Sequence, residues 1–262
     1  MRADKFFAEK FGSRTKAAQA AEAGLILVDG KPVKPKDEVK EGQEVVFLQQ
    51  TLRYVSAGGY KLERAIKTFS FDCKGKVFVD IGASTGGFTD CLLQNGAKKV
   101  YAVDVGTSQL CDVLRNDPRV VVMENTNARY LSRGDFEKVD GIVTDVSFIS
   151  LRLIFPVIAK ILDEKGEAIV LVKPQFECEN KFIGKSGIVR ADAHAKIVQK
   201  VLKNALENGL FPFAIVNAPI RKGKNIEYVL HVKKESFDCQ SVEKIVQTVK
   251  DLLKSNTEGI LE

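Results

Sequence analysis

A glycine-rich turn directly after an apolar run gives the first indication of chemistry. Residues 77–81 form a run suited to a strand buried on both faces, and the chain from Asp80 onward reads D-x-G-x-x-x-G-G. Glycines at such a turn let the backbone approach a ligand closely. The dinucleotide fingerprint G-x-G-x-x-G needs glycine where this chain has Ser84, so the pattern favours a nucleoside cofactor other than NAD.

A second carboxylate stands where a ribose contact is expected. A predicted strand at 99–103 ends in Asp104, about 20 residues beyond the turn, a spacing at which a carboxylate accepts both ribose hydroxyls. S-adenosylmethionine fits both features. The alternative is structural: a tight strand-to-helix turn, with Asp104 capping the next helix.

The base of such a cofactor needs a polar partner as well. Asn127 follows the next predicted strand and is positioned to meet adenine, in competition with Glu124 and Asn125. The predicted cofactor-binding residues are Asp80, Gly82, Ala83, Ser84, Thr85, Gly86, Gly87, Asp104, Asn127 and Asp145.

Three further charges lie at the ends or starts of apolar strands. Asp145 and Lys173 each follow such a run, and Glu227 precedes one. Charges at these positions are costly unless they are paired or functional. If the last strand of a doubly wound sheet is antiparallel and lies beside the fifth, these three side chains converge next to the cofactor.

The elements that must position these residues alternate regularly. Strands are predicted at 77–81, 99–103, 120–123, 141–144, 168–172, 213–216 and 227–232, and helices at 60–69, 86–94, 109–115, 151–162, 193–208 and 241–254. This alternation predicts an α/β fold with a mostly parallel sheet. The resemblance described below implies the Rossmann-like class I methyltransferase form of that sheet, with its last strand antiparallel.

The first 50 residues predict a small α+β domain of their own. Helical patterns at 3–11 and from Ser13 to Gly24 are followed by strands at 25–28 and 45–48, with Asp29-Gly30 as a hairpin turn. Residues 51–59 have no amphipathic pattern. We therefore expect domains at 1–50 and 60–262, joined by a linker at 51–59.

Composition excludes several classes of protein. The 262 residues are 45% hydrophobic and 28% charged, and no apolar stretch approaches the roughly 18 residues of a membrane span. The charged, helix-patterned N-terminus does not resemble a signal peptide, so we expect a cytoplasmic protein. Five widely spaced cysteines indicate free thiols, and two histidines offer little material for a metal site or a triad. The net charge of +6 permits nucleic-acid binding without requiring it.

The N-terminal pattern resembles the small RNA-binding module first seen in ribosomal protein S-four. The resemblance is carried by the helix order and by the turn VDGKPV at 28–33. It implies that basic side chains contact phosphate at Arg2, Lys5, Arg14, Lys16 and Lys31.

The larger domain resembles the FtsJ-like ribose methyltransferases, and the TlyA family in particular. The resemblance is carried in order by YVSAGGYKL, TDVSFISLRLIFP, LVKPQFE, GKSGIVR and NIEYVL. It implies a catalytic tetrad of Lys61, Asp145, Lys173 and Glu227. In this set Lys173 faces the ribose hydroxyl to accept or steer its proton, and the two carboxylates orient the amines and balance their charge.

The same resemblance implies an enzyme that uses S-adenosylmethionine to methylate the ribose 2′-hydroxyl of cytidine in ribosomal RNA of the large subunit, with the small subunit left open as a further substrate. Members of the family are associated with sensitivity to ribosome-targeting antibiotics. Basic residues in loops beside the catalytic strands are expected to position the RNA: Lys185, Arg190, Arg221, Lys222 and Lys224.

Two other functions remain as alternatives. A non-catalytic RNA-binding assembly factor would keep the fold without the tetrad or the glycine turn, and both are present. The family also carries an older haemolysin label, but a pore-forming protein needs a long apolar or amphipathic exposed segment, which the sequence does not show.

Overall fold

The computed structural model of the chain describes residues 1–22, 24–47, 53–219 and 223–258, which divide between Arg53 and Tyr54 into two compact units. Tyr54 is buried in the core of the second unit, and a helix begins there at Gly58. Residues 54–59 of the expected linker therefore belong to the second unit.

The first unit is built from two helices and a small antiparallel sheet. Its elements are α1 (Ala3–Phe6), α2 (Arg14–Glu22), β1 (Ile26–Val28), β2 (Lys31–Pro32) and β3 (Val45–Phe47). Strand β1 pairs with both β2 and β3. The predicted hairpin turn is confirmed, because Asp29 and Gly30 both have positive φ angles, 49° and 74°.

The helix predicted at 3–11 is wrong beyond its first turn. Residues after Phe6 form hydrogen-bonded turns that reach Gly12, which has a φ of 73°. Phe7 and Phe11 both place their rings edge-on to Phe47 of β3. Packing against the sheet, rather than helix periodicity, fixes this segment.

The second unit alternates strands and helices. Its elements are α3 (Gly58–Phe69), β4 (Val77–Ile81), α4 (Gly87–Gln94), β5 (Lys99–Val103), α5 (Asp112–Arg115), β6 (Val120–Met123), β7 (Gly141–Thr144), α6 (Phe155–Ile161), β8 (Glu167–Val172), α7 (Pro174–Glu177), α8 (His194–Glu207), β9 (Phe211–Asn217), β10 (Tyr228–Lys233) and α9 (Val242–Glu258).

The described residues of this unit form a seven-stranded sheet in the order β6-β5-β4-β7-β8-β10-β9. Strands β4 to β8 are parallel, and β10 runs antiparallel between β8 and β9. The predicted fold class is confirmed. Because β10 is antiparallel, its first residue, Tyr228, lies opposite Val172 at the end of β8.

Alternate residues of β4 pack into cores on opposite faces of the sheet. Phe78 joins Leu62 of α3 and Leu92 of α4. Val79 joins Phe155 of α6 and Val198 of α8. A strand enclosed in this way has no polar face, which explains the continuous apolar run.

Two predicted helices are shorter than expected. The helix at 109–115 is reduced to α5 (Asp112–Arg115), and the residues before it form a loop whose N–H groups bind a distant carboxylate described below. The helix at 151–162 divides into a 3₁₀ turn, Leu151–Leu153, and α6. Pro156 lies in the first turn of α6, where its missing N–H is tolerated, so the regular helix begins there.

Glycines bring α3 and α4 into backbone contact. A Cβ atom on Gly59 would overlap the ring of Tyr54. A Cβ atom on Gly87 would overlap the Ser56 hydroxyl and lie 2.9 Å from the Gly59 nitrogen. Since α3 carries Lys61 and α4 follows the glycine turn, this contact sets the distance between Lys61 and the glycine turn.

Gly87→Ala is expected to destabilise the protein by about 1–3 kcal/mol, because the added methyl group meets backbone atoms that cannot rotate away. Urea unfolding followed by circular dichroism measures the change. Gly134→Ala is the control, since its Cβ would meet only the Ser132 hydroxyl at 3.8 Å. Equal stability of the two variants would contradict the proposed close packing.

Candidate active site

Four charged side chains from distant parts of the chain meet at the carboxyl edge of the sheet. Lys61 lies in the first turns of α3, Asp145 follows β7, Lys173 follows β8, and Glu227 precedes β10. Parallel strands end at this edge and the antiparallel β10 starts there, so topology alone brings the last three together. The structure thus assembles all four residues of the predicted tetrad.

Asp145 lies between the two amines. Its Oδ2 atom is 3.3 Å from Nζ of Lys61, and its Oδ1 atom is 2.6 Å from Nζ of Lys173. Lys61 also donates to Oε2 of Glu227 at 2.8 Å. The second oxygen of Glu227 accepts a hydrogen bond from Gln175 at 3.1 Å. The result is a continuous chain of alternating charge.

Burial makes this pairing necessary. Lys173 is only 7% exposed, and an isolated ammonium at that depth would be costly. Burial acts to lower the pKa of Lys61, but Asp145 and Glu227 outweigh it and raise that pKa above its ordinary value. Lys61 therefore stays a cation that holds the two carboxylates in place.

Lys173 has a further partner that the sequence did not reveal. Its Nζ atom donates to the hydroxyl of Ser147 at 2.7 Å and lies 5.8 Å from the ring centre of Phe176. Pro174 follows directly and starts α7, which fixes the backbone after the lysine.

A cavity of about 410 Å³ opens beside the tetrad. Of the predicted cofactor residues, five line it: Gly82, Ser84, Asp104, Asn127 and Asp145. Further lining residues include Val105, Gln109, Ser147, Phe148 and Ile154. Its size lies within the range of small-ligand pockets, roughly 300–1,000 Å³.

The glycine turn at the cavity wall is held by Asp104. Ser84 has a φ of 49°, a left-handed conformation that favours glycine and explains why the dinucleotide fingerprint has glycine there. The Ser84 N–H donates to Asp104 at 2.8 Å, and the Gly106 N–H donates to the other Asp104 oxygen at 2.7 Å. The predicted ribose-binding carboxylate thus also organises the turn.

The remaining predicted cofactor residues do not line the cavity. Ala83 is buried, and the Thr85 carbonyl accepts a hydrogen bond from the Cys111 N–H. A Cβ atom on Gly86 would overlap the side chain of Leu114, and Gly87 packs against α3. These two glycines have clear packing roles.

Asp80 is completely buried behind the turn. One of its oxygens accepts a hydrogen bond from Thr89 at 2.7 Å, and the other has no partner among the described residues. Burial, with a smaller contribution from the nearby Asp145, raises its pKa to about 7.

The Glu124 carboxylate, a competitor of Asn127 for adenine, has several partners within the protein. It accepts the N–H groups of Ser108, Gln109 and Leu110 at 2.8–2.9 Å and pairs with Arg115 at 2.7 Å. It therefore holds the loop that precedes α5. Asn127 lines the cavity, while its side-chain oxygen caps a 3₁₀ turn.

In the first unit, Asp4 holds two of the predicted RNA-binding arginines. Arg2 and Arg14 approach its carboxylate at 2.8 and 3.0 Å, and their side chains remain 46% and 58% exposed. Lys5 and Lys31 are also exposed, and Lys16 lies within α2.

The described members of the predicted RNA-binding set in the second unit, Lys185, Arg190 and Lys224, lie in loops. Lys185 and Lys224 are exposed, and Arg190 is exposed and paired with Asp192 at 2.6 Å. Arg221 and Lys222 lie outside the described residues.

The residues missed by sequence reasoning belong mostly to the loop after β7. Ser147 is only two positions from Asp145, so its proximity to the site was available in the sequence. Phe148 is 90% exposed, has a φ of 62° and packs its ring 5.0 Å from Phe176. No periodic pattern indicates such a conformation.

Comparison with known proteins assigns both units to described families. Residues 54–234 match the family model "FtsJ-like methyltransferase", and residues 1–45 match the S4 domain model. The 16S/23S rRNA (cytidine-2′-O)-methyltransferase TlyA of Mycobacterium tuberculosis is 38% identical over 86% of this chain and 85% of its own length.

Two other relatives are closer in identity. YqxC of Bacillus subtilis, named as a candidate rRNA methyltransferase, is 45% identical over 84% of this chain and 80% of its own length. A solved structure from Streptococcus thermophilus, named as a candidate hemolysin, is 41% identical with a TM-score of 0.75, covering 99% of this chain and 98% of that one.

Two negative findings apply to the part of the chain that the structure describes. No helix there has both the length and the apolar character needed to cross a membrane. Within the same ranges, no three His, Cys, Asp or Glu side chains form a group that could hold a metal ion.

Glu124→Gln is expected to destabilise the protein in a pH-dependent way. Arg115 and the three loop N–H groups lower the pKa of Glu124 from 4.5 to about 2. A depressed carboxyl pKa contributes stability that is complete above about pH 5 and is lost as the pH falls. Urea unfolding between pH 8 and 3 should show the largest difference from wild type above about pH 5.

Glu164→Gln serves as the matched control, because the Glu164 side chain is 94% exposed. Its unfolding free energy should remain close to that of wild type at every pH. A pH-independent deficit in Glu124→Gln would show that the carboxylate charge does not stabilise the loop.

Proposed function

We propose that this chain, which belongs to the FtsJ-like methyltransferase family, transfers a methyl group from S-adenosylmethionine to the ribose 2′-hydroxyl of cytidine in ribosomal RNA. The observation that carries the proposal is the position of Asp145, which lines the cavity and pairs with both lysines. The Asp145 carboxylate thus contacts both a ligand-sized cavity and the buried amine of Lys173.

The residues around the cavity fit S-adenosylmethionine. Gly82 has a φ of 84°, which disfavours a side chain, and a Cβ atom there would lie 3.3 Å from the Asp145 backbone. Asp104 would meet the ribose hydroxyls, Ser84 and the adjoining turn the methionine half, and Asn127 the adenine. Two carboxylates, Asp104 and Asp145, line the place for a cationic ligand.

The bound cofactor supplies an activated methyl group on a positively charged sulfur. The protein must then mainly hold the acceptor oxygen in line with it, a positioning effect that can supply about 7–11 kcal/mol. Lys173 would meet the ribose hydroxyl and accept or steer its proton. Asp145 fixes the amine of Lys173, while Lys61 and Glu227 fix Asp145.

The charges of the site support burial of this set. When Lys173 carries its proton, the two ammonium groups and two carboxylates sum to zero, and the three ion pairs have distances of 2.6–3.3 Å. Buried pairs of this kind are tolerated when geometry and additional hydrogen bonds are good. The tetrad can therefore keep the buried amine of Lys173 close to the ribose hydroxyl without leaving an uncompensated charge.

The S4 unit would bind the RNA through placement of charge rather than total charge. Residues 1–50 contain nine basic and eight acidic side chains, so the net excess is small. Asp4 instead directs two arginines to one surface. Guanidinium groups held in this way suit phosphate, which they can bind with two parallel hydrogen bonds.

Lys173→Ala is expected to reduce methyl transfer about 10²–10⁴-fold, because the proton of the hydroxyl loses its partner. The assay incubates the protein with labelled cofactor and separated, unmodified ribosomal subunits. Primer extension at limiting nucleotide then maps the modified residue. Cofactor affinity, measured by calorimetry, should stay near that of wild type.

Lys165→Ala, in the exposed turn between α6 and β8, is the control and should retain full activity. Failure of the wild-type protein to label either subunit would favour a non-catalytic assembly factor. Full activity of Lys173→Ala would remove that lysine from the reaction.

Arg14→Ala is expected to weaken RNA binding to a similar extent for different RNA sequences, because the side chain contacts phosphate rather than bases. The slope of log affinity against log salt should fall by about 0.7–0.9, the value for one lost phosphate contact. Fluorescence anisotropy of the full chain with ribosomal RNA fragments measures both. An unchanged slope would exclude Arg14 as a phosphate ligand.

A further inference from the structure

The amine of Lys173 has little direct access to water. The residue is 7% exposed, and its Nζ atom is surrounded by Asp145, Ser147 and the ring of Phe176. An amine that accepts a proton in each catalytic cycle must also lose it. Because the amine of Lys173 is buried, another group is needed to take that proton to the solvent.

Asp145 is poorly suited to this task. Its Oδ1 atom pairs with Lys173 and its Oδ2 atom with Lys61. A proton passed from Lys173 to Asp145 would neutralise both groups and remove the ion pairs by which this carboxylate holds the two lysines. The carboxylate is thus better suited to holding the amine than to carrying its proton.

Ser147 is better suited than Asp145 to pass the proton from Lys173 to water. Its hydroxyl accepts from Nζ of Lys173 at 2.7 Å, and the residue itself is exposed and lines the cavity. A hydroxyl can accept one proton while it donates another, and its own charge does not change between turnovers. It therefore connects a buried amine to water.

The position of Ser147 is fixed at both ends of its loop. At the start, the Asp145 N–H donates to the Ile81 carbonyl at 3.2 Å. At the end, the Ser150 hydroxyl and the Leu151 N–H both donate to Glu177 at 2.7 Å. Glu177 is buried and lies on α7, the short helix that follows Lys173 directly. Loop and lysine are thus anchored to the same element.

We propose that the hydroxyl of Ser147 carries the proton between the Lys173 amine and solvent. The inference rests on the proposed function, in which Nζ takes the proton of the ribose hydroxyl. An N–H bond of Lys173 then breaks, its electron pair stays on nitrogen, and a new O–H bond forms at Ser147. The original hydroxyl proton of Ser147 passes to water, which restores the neutral amine and the neutral serine.

Two isosteric variants separate the hydroxyl from the shape of the side chain. Ser147→Thr keeps a hydroxyl, whereas Ser147→Val has nearly the same shape as threonine without one. Ser147→Val should lower kcat at least about tenfold, with KM for RNA and the Kd for S-adenosylmethionine within about twofold of wild type. Ser147→Thr should retain kcat within about threefold.

A second measurement needs neither RNA nor cofactor. In protein labelled with ¹⁵N-lysine, the exchange of the Lys173 Nζ protons with water is followed by NMR. Exchange should be slower in Ser147→Val than in Ser147→Thr, because the hydroxyl route is missing. A thermal melt of each variant shows that the fold is retained.

Each outcome decides the proposal. Equal kcat for the two variants, or a lower kcat in Ser147→Val with unchanged Nζ exchange, would overturn it. If the wild-type protein methylates no RNA, the proposed function fails, while the exchange experiment still shows whether Ser147 connects Lys173 to water.

Discussion

The contact of the Asp145 carboxylate with the side-chain nitrogens of two lysines is the interaction on which the rest of the site depends. The carboxylate pairs with Lys61 and Lys173 at 3.3 and 2.6 Å and lines the cavity with the same side chain. Removing one member of such a buried set leaves an uncompensated charge, which is far more costly than the net gain from forming the pair. The ion pairs of Asp145 therefore serve to position the Lys173 amine rather than to stabilise the fold.

This interaction requires a particular sheet. Lys61 and Glu227 are 166 positions apart in the chain, yet their charged atoms are 2.8 Å apart. They meet because β10 is inserted antiparallel beside β8, which brings Glu227 to the edge where the parallel strands end. The contact of Gly59 with the Tyr54 ring, and of Gly87 with α3, then sets the position of Lys61 against that edge.

The sequence predicted those parts of the molecule that depend on local pattern. Strands β4, β5 and β7 have the predicted bounds, because strands buried on both faces read as continuous apolar runs. Tertiary hydrogen bonds changed the rest. Glu124 binds N–H groups of the loop that replaces the start of the helix predicted at 109–115, and Glu177 binds the Leu151 N–H at the start of the next predicted helix. Neither carboxylate is near its partner in the sequence.

The same reasoning explains why Asp145, Lys173 and Glu227 were singled out from the sequence while Ser147 was missed. A charge at the end of an apolar strand violates a pattern and is therefore visible, whereas a serine in a loop violates none. Yet the loop from Asp145 to Leu151 belongs to two sites at once, since it lines the cavity and holds the Lys173 amine through Ser147. Because Glu177 ties the end of this loop to α7, the two sites share one rigid support. A ligand that shifts the loop on the cavity side must therefore also move the hydroxyl that contacts the amine.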